Sequence, residues 1–226
     1  MKRVITVLLA VLLVLSLAAC GSGVETKKLA GTWTCTVDVT DRMNAAAEQA
    51  LGLSAADGAA QMPLQLVLTV AEDGAYTLRY DSDAARTALD AYAAALHPAA
   101  VESVYAAAEE QGFSREEYDA AMEKAGITMD DMVAAIFAGV DEEELLSLLT
   151  GRSAALTGYC RAESGQLYLA DTAAELAETA DCLSYTLSDG TMTWTDAQGE
   201  LSSQLTEQEQ ELLRVPLTWT KQEESK

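Results

Sequence analysis

Ten residues near the N-terminus, Gly31 to Thr40, constrain this chain more than any other stretch. Trp33, Cys35, Val37 and Val39 alternate there with Thr34, Thr36, Asp38 and Thr40. A two-residue period places the apolar set on one face, as in a half-buried β-strand. The same alternation returns near the C-terminus, where Thr218 separates Leu217 from Trp219. In antiparallel barrels the first and last strands meet, so these two segments are expected to form a barrel seam.

Between them the period recurs in pairs. Leu64, Leu66, Leu68 and Val70 lead through Glu72-Asp73-Gly74 to Tyr76, Leu78 and Tyr80, a β-hairpin with suitable turn chemistry. Leu156–Ala162 and Gln166–Ala170 flank Glu163-Ser164-Gly165, and Cys182–Ser188 and Thr191–Asp196 flank Asp189-Gly190, a type I′ signal. With the end strands this makes about eight, the number at which a closed barrel is just filled by side chains or holds one small ligand. Gly31-x-Trp33 also resembles the Gly-x-Trp signature of lipocalins and lipocalin-like bacterial lipoproteins, over the strand segments only. The expected fold is α+β: an eight-stranded antiparallel, lipocalin-like barrel over 29–82 and 156–221, with an all-α insertion over 83–155 between strands 3 and 4.

Within that insertion the period changes to 3.6. Ala85, Leu89, Tyr92 and Leu96 make one helical stripe, expected to end at His97-Pro98; Val101, Val104, Tyr105 and Ala108 make a second, ending at Gly112. Three similar joints follow, at Gly112-Phe113-Ser114-Arg115-Glu116-Glu117-Tyr118, at Gly126-Ile127-Thr128-Met129-Asp130-Asp131-Met132, and at 139–145. Each has a Gly to end one helix, an apolar residue, a capping Ser, Thr or Asp, and an acid three residues later. That is a capping box with a hydrophobic staple, and it gives these acids a structural task. Further short helices are expected at Asp41–Leu51 and from Thr206.

Lys2 and Arg3, the apolar run Val4–Leu17 and the small residues after it have the form of an export signal, too short to span a membrane. Leu17-Ala18-Ala19-Cys20 resembles the lipobox of bacterial lipoproteins. That resemblance implies a signal peptide over 1–19 and a diacylglyceryl thioether on Cys20, the new N-terminus, on the extracytoplasmic face of the cell membrane. Residues 20–28 would be a lipidated flexible tether.

The formal net charge is -22, from 36 acids and 14 bases, and loss of Lys2 and Arg3 would make it -24. Clustered bases for phosphate binding are lacking, which excludes nucleic acid as a partner. Such an acidic body is also repelled by anionic headgroups, so membrane contact is expected from the lipid anchor alone.

No catalytic, cofactor-binding or metal-binding residues are assigned. His97 is the sole His, and no nucleophile motif accompanies it. Asp81-Ser82-Asp83 begins like a calcium loop, but Ala85, Arg86 and Tyr92 stand where the loop needs a ligand, a glycine and a glutamate. Cys35 reads as a small buried residue, while Cys160 and Cys182 flank a strand at a spacing that leaves a disulfide open. Trp33, Tyr76, Tyr80, Tyr185, Trp194 and Trp219 fall on apolar strand faces, where they either fill a core or line a cavity. The expectation is a non-enzymatic binding module. Either its acidic insertion contacts an envelope protein or basic wall component, or its barrel holds a small hydrophobic ligand.

Overall fold

The computed structural model describes residues 25–53, 60–138, 155–178, 182–198 and 212–223, with Leu145 and Gln210. Eight strands form one closed antiparallel barrel in sequential order: β1 (Gly31–Asp38), β2 (Pro63–Val70), β3 (Ala75–Tyr80), β4 (Leu156–Glu163), β5 (Gln166–Ala170), β6 (Cys182–Ser188), β7 (Thr191–Gln198) and β8 (Leu217–Lys221). The seam closes as the two end strands require. Trp33 lies opposite Lys221 and Thr34 opposite Thr220, and Gln222 donates from its backbone to the Thr32 carbonyl at 2.8 Å.

Sequential antiparallel order puts the tight turns at one rim and the long connections at the other. At the tight rim, Asp189 and Gly190 adopt φ of 47° and 76°, the two left-handed positions of a type I′ turn. Trp33 and Cys35, then Leu66, Leu68 and Val70, then Tyr76 and Leu78 are buried in the expected alternation, although Val67, on the other face of β2, is buried as well. A bulge on β7 shifts the register between Ser184 and Tyr185, so that Ser184 faces Asp196 while Tyr185 faces Trp194. Gly158 has no room for a side chain, since an added Cβ would lie 2.5 Å from the Ala170 carbonyl and 2.9 Å from the Tyr76 ring.

Two compact units divide the chain, one comprising 1–35, 66–80 and 154–226, the other 36–65 and 81–153. The helical unit is thus larger than the 83–155 insertion, because the β1–β2 connection groups with it. Its helices are α1 (Thr40–Leu51), α2 (Ser82–Glu110), α3 (Arg115–Ala125) and α4 (Met129–Phe137). The Tyr92 hydroxyl donates to Asn44 Oδ1 at 2.7 Å, tying α2 to α1.

Two expectations are corrected. The two helices expected to meet at His97-Pro98 are one: α2 runs unbroken from Ser82 to Glu110 with Pro98 inside it. Its buried stripe of Ala85, Ala88, Tyr92, Leu96, Ala100, Val104 and Ala108 keeps helical spacing through the proline, which sits on the exposed side. Burial of that stripe outweighs the hydrogen bond and steric fit lost at one solvent-facing residue. The flexible linker expected over 20–28 is in part structured. Residues 25–29 form a helical turn with Thr26 and Leu29 buried.

The pairing of Cys160 with Cys182, left open by their spacing, is decided by the sheet. Cys35, Cys160 and Cys182 are buried and form no disulfide. Cys160 shares its strand face with Ala162 toward the interior, whereas Cys182 lies opposite Tyr168, which lies opposite the partly exposed Arg161. The two thiols therefore sit on opposite faces of the sheet. The Cys182 thiol instead donates to Gln166 Oε1 at 3.3 Å.

Candidate functional site

The six aromatics singled out by strand patterning occupy two environments. Trp33, Tyr76, Trp194 and Trp219 are buried in the barrel, while Tyr80 and Tyr185 are only half-buried. Trp33 is 1 % exposed, and Trp219 and the neighbouring Met192 are 0 %. A void that admitted water would leave accessible surface on its walls, so these side chains are enclosed by packed neighbours. The Trp194 and Trp219 rings tilt against each other with centroids 4.8 Å apart. Both indole Nε1–H groups are buried without a hydrogen-bond partner among the described residues.

Trp33 is held differently. Its Nε1–H donates to the Leu29 carbonyl at 2.8 Å, binding the helical turn at 25–29 to the start of β1. The Lys221 ammonium lies 5.3 Å from the centroid of the same ring, a cation over a π face. Pairing Trp33 with a residue four positions earlier was not foreseen in the sequence, because 25–29 carry no strand period and too short a helical one.

In the second unit the capping boxes form as the repeated joints predict. Glu117 N–H donates to Ser114 Oγ at 3.3 Å and Ser114 N–H returns to Glu117 Oε2 at 2.9 Å. Asp131 N–H donates to Thr128 Oγ1 at 3.1 Å and Thr128 N–H to Asp131 Oδ2 at 2.8 Å. The Ser114 N–H and hydroxyl donating to Glu117, and the Thr128 hydroxyl and N–H donating to Asp131, favour the ionised forms and hold both carboxyls below their ordinary pKa values. The apolar half of the motif stays open, since Phe113 and Ile127 are 46 % and 42 % exposed. The third joint, 139–145, lies outside the described residues save Leu145, as do 206–209, where a further helix was expected to start; Gln210 and Leu212 are helical.

Helix α3 buries none of its residues. It is attached to α2 by surface contacts: Arg115 bonds Glu102 at 2.7 Å and Glu109 at 3.3 Å, the Tyr105 hydroxyl donates to Asp119 at 2.8 Å, and Tyr118 meets Tyr105 edge-on at 6.3 Å. This leaves the carboxylates of Glu110, Glu116 and Glu123 facing solvent. Over 83–155 the sequence has fifteen acids against four Lys and Arg.

The remaining chemistry-bearing residues have structural partners. His97 lies within α2 and contacts Asp130 of α4 at 3.1 Å, not at a helix boundary as expected. Asp81 caps α2, accepting from Asp83 N–H and Ala84 N–H. Burial, with a smaller contribution from the Asp73 charge, pushes the Cys160 thiol up to about 12, which makes it a poor nucleophile. Among the described residues no three His, Cys, Asp or Glu side chains group as metal ligands, and no helix is long and apolar enough to cross a membrane. Cys20 lies outside the described residues.

Fold and site together define an antiparallel eight-stranded barrel bearing an acidic helical unit. No protein-family model matches the chain, and comparison with characterised proteins and with solved structures gives no match.

Proposed function

We propose that this protein is a cell-envelope lipoprotein anchored through Cys20 on the extracytoplasmic face, with a barrel of lipocalin kinship. It acts as a non-enzymatic interaction module through its acidic helices. The observation that carries this reading is α3, a capped eleven-residue helix with no residue committed to a core. A helix that stabilises no core yet is capped at both ends is suited to presenting a surface. That surface is dominated by carboxylates, so its partner is cationic: a basic protein face or a basic wall component.

A charge-matched comparison tests this. Glu110, Glu116 and Glu123 are changed to Gln in one variant; Glu72, Asp171 and Asp189, exposed acids of the barrel unit, are changed to their amides in the other. Binding of an oligolysine probe is then measured against salt. Loss confined to the helical variant supports the reading, and equal loss in both reduces it to bulk charge.

A small-ligand receptor is the second reading. The two orphan indole donors favour it, since Trp194 and Trp219 Nε1–H groups would bond an acceptor on an apolar molecule admitted between the strands. Native mass spectrometry of the purified protein tests it. A co-purified small molecule lost in the Trp219→Phe variant would shift the function to the barrel.

A further inference from the structure

The helical turn at 25–29 determines where the chain enters the barrel. Its contacts with β4, the β4–β5 turn and the β2–β3 turn fall at the rim of tight turns. Thr26 Oγ1 accepts from Ala162 N–H at 3.0 Å at the end of β4, and Glu25 Oε2 accepts from Ser164 N–H at 2.7 Å in the β4–β5 turn. Gly74 of the β2–β3 turn faces the Thr26 methyl, which an added Cβ would meet at 3.5 Å. Together with the bond from Trp33 to Leu29, these contacts anchor the turn to three neighbouring segments of one rim.

From Cys20 to Glu25 there are five Cα–Cα steps. Fully extended, they reach about 17 Å. A lipid on Cys20 thus holds this rim within that distance of the bilayer surface. The opposite rim stands farther off by the height of the strands, roughly 12 Å even for five-residue β5 at the usual barrel tilt. Charge agrees at the point of entry. Lys27 and Lys28 are exposed on the turn, although the chain as a whole is strongly acidic. Each base near an anionic surface is attracted by about 1 kcal/mol. Glu72, Asp73, Glu163 and Asp189 occupy the same rim and oppose adsorption of the body itself.

We infer that the barrel stands on the membrane with its rim of tight turns facing the lipid headgroups and the rim of long connections facing away. This rests on the lipid anchor proposed above. The anchor supplies the affinity, the short tether supplies the orientation, and Lys27 and Lys28 face the lipid.

The test uses the full lipidated protein in vesicles of phosphatidylethanolamine and phosphatidylglycerol containing a headgroup-nitroxide lipid. Bimane is attached at Glu72→Cys or Ser188→Cys on the tight rim and at Asp171→Cys on the other, all exposed positions. The three cysteines of the folded body are buried and do not compete for the label. The expected result is quenching at least about two-fold stronger at 72 and 188 than at 171, given that axial separation. The difference should collapse when a 20-residue Gly-Ser insert follows Val24. Equal or reversed quenching in protein that carries the lipid would overturn the orientation alone. Protein whose intact mass lacks the lipid would overturn the anchor, and the orientation with it.

Discussion

Three tryptophans of one barrel allow the same substitution to be compared in two hydrogen-bonding states. Trp33→Phe and Trp219→Phe each remove the pyrrole portion of a side chain no more than 1 % exposed. The shared cost of lost contacts is on the order of 1–2 kcal/mol. At Trp33 the substitution also deletes the 2.8 Å bond to the Leu29 carbonyl, in a residue itself 1 % exposed. A buried acceptor left unpaired adds about 1–3 kcal/mol. At Trp219 the indole N–H has no partner among the described residues, so its removal relieves a desolvation penalty and offsets part of the shared cost. Trp33→Phe should therefore be the less stable variant by about 2 kcal/mol or more. Urea unfolding followed by far-UV circular dichroism measures both free energies without relying on the altered fluorophore. If Trp33→Phe proves no less stable than Trp219→Phe, the indole bond to Leu29 contributes nothing and the turn at 25–29 is not fixed as described.

Four further outcomes are expected. Pro98→Ala should raise stability by on the order of 1–2 kcal/mol, because an exposed helix-interior position regains a hydrogen-bond donor; a thermal scan showing destabilisation would mean that the proline-shaped helix is required. Ser114→Ala and Thr128→Ala should each cost about 1 kcal/mol of local helix stability, read as faster amide exchange confined to α3 and α4 respectively. The Glu117 and Asp131 carboxyls have lowered folded-state pKa values, so their contribution is full above the unfolded values and is lost as pH falls from there through the lower folded-state values. Acidification from about pH 6 to 3 should thus erode α3 and α4 exchange protection less in the Glu117→Gln, Asp131→Asn double variant than in the parent. Thiol titration of the folded body should be slow at Cys35, Cys160 and Cys182 and rapid once urea unfolds it, whereas an oxidised pair would show as an intact mass two hydrogens short.

Legibility in the sequence followed the strength of local period. The seam was readable because Trp33, Cys35, Leu217 and Trp219 alternate with threonines, and a closed sheet joins its ends. The capping boxes were readable because Ser114 with Glu117, and Thr128 with Asp131, encode bonds between groups three residues apart. Pro98 misled because its local rule is steric while the stripe on which it rides is long-range; Tyr92, Leu96, Ala100 and Val104 keep their spacing on either side of it. Thr26 gave no signal at all, since its partner Ala162 lies 136 residues away and a lone threonine has no period. The orphan donors of Trp194 and Trp219 were equally silent, because the sequence places both rings on an inward face but does not say what either N–H meets.

The lipid anchor is tested most directly by the intact mass of the protein extracted by detergent from its native membrane. The mass should correspond to a chain that starts at Cys20 and carries a diacylglyceryl group. A mass matching the full sequence with its leader retained and the Cys20 thiol unmodified would contradict the account.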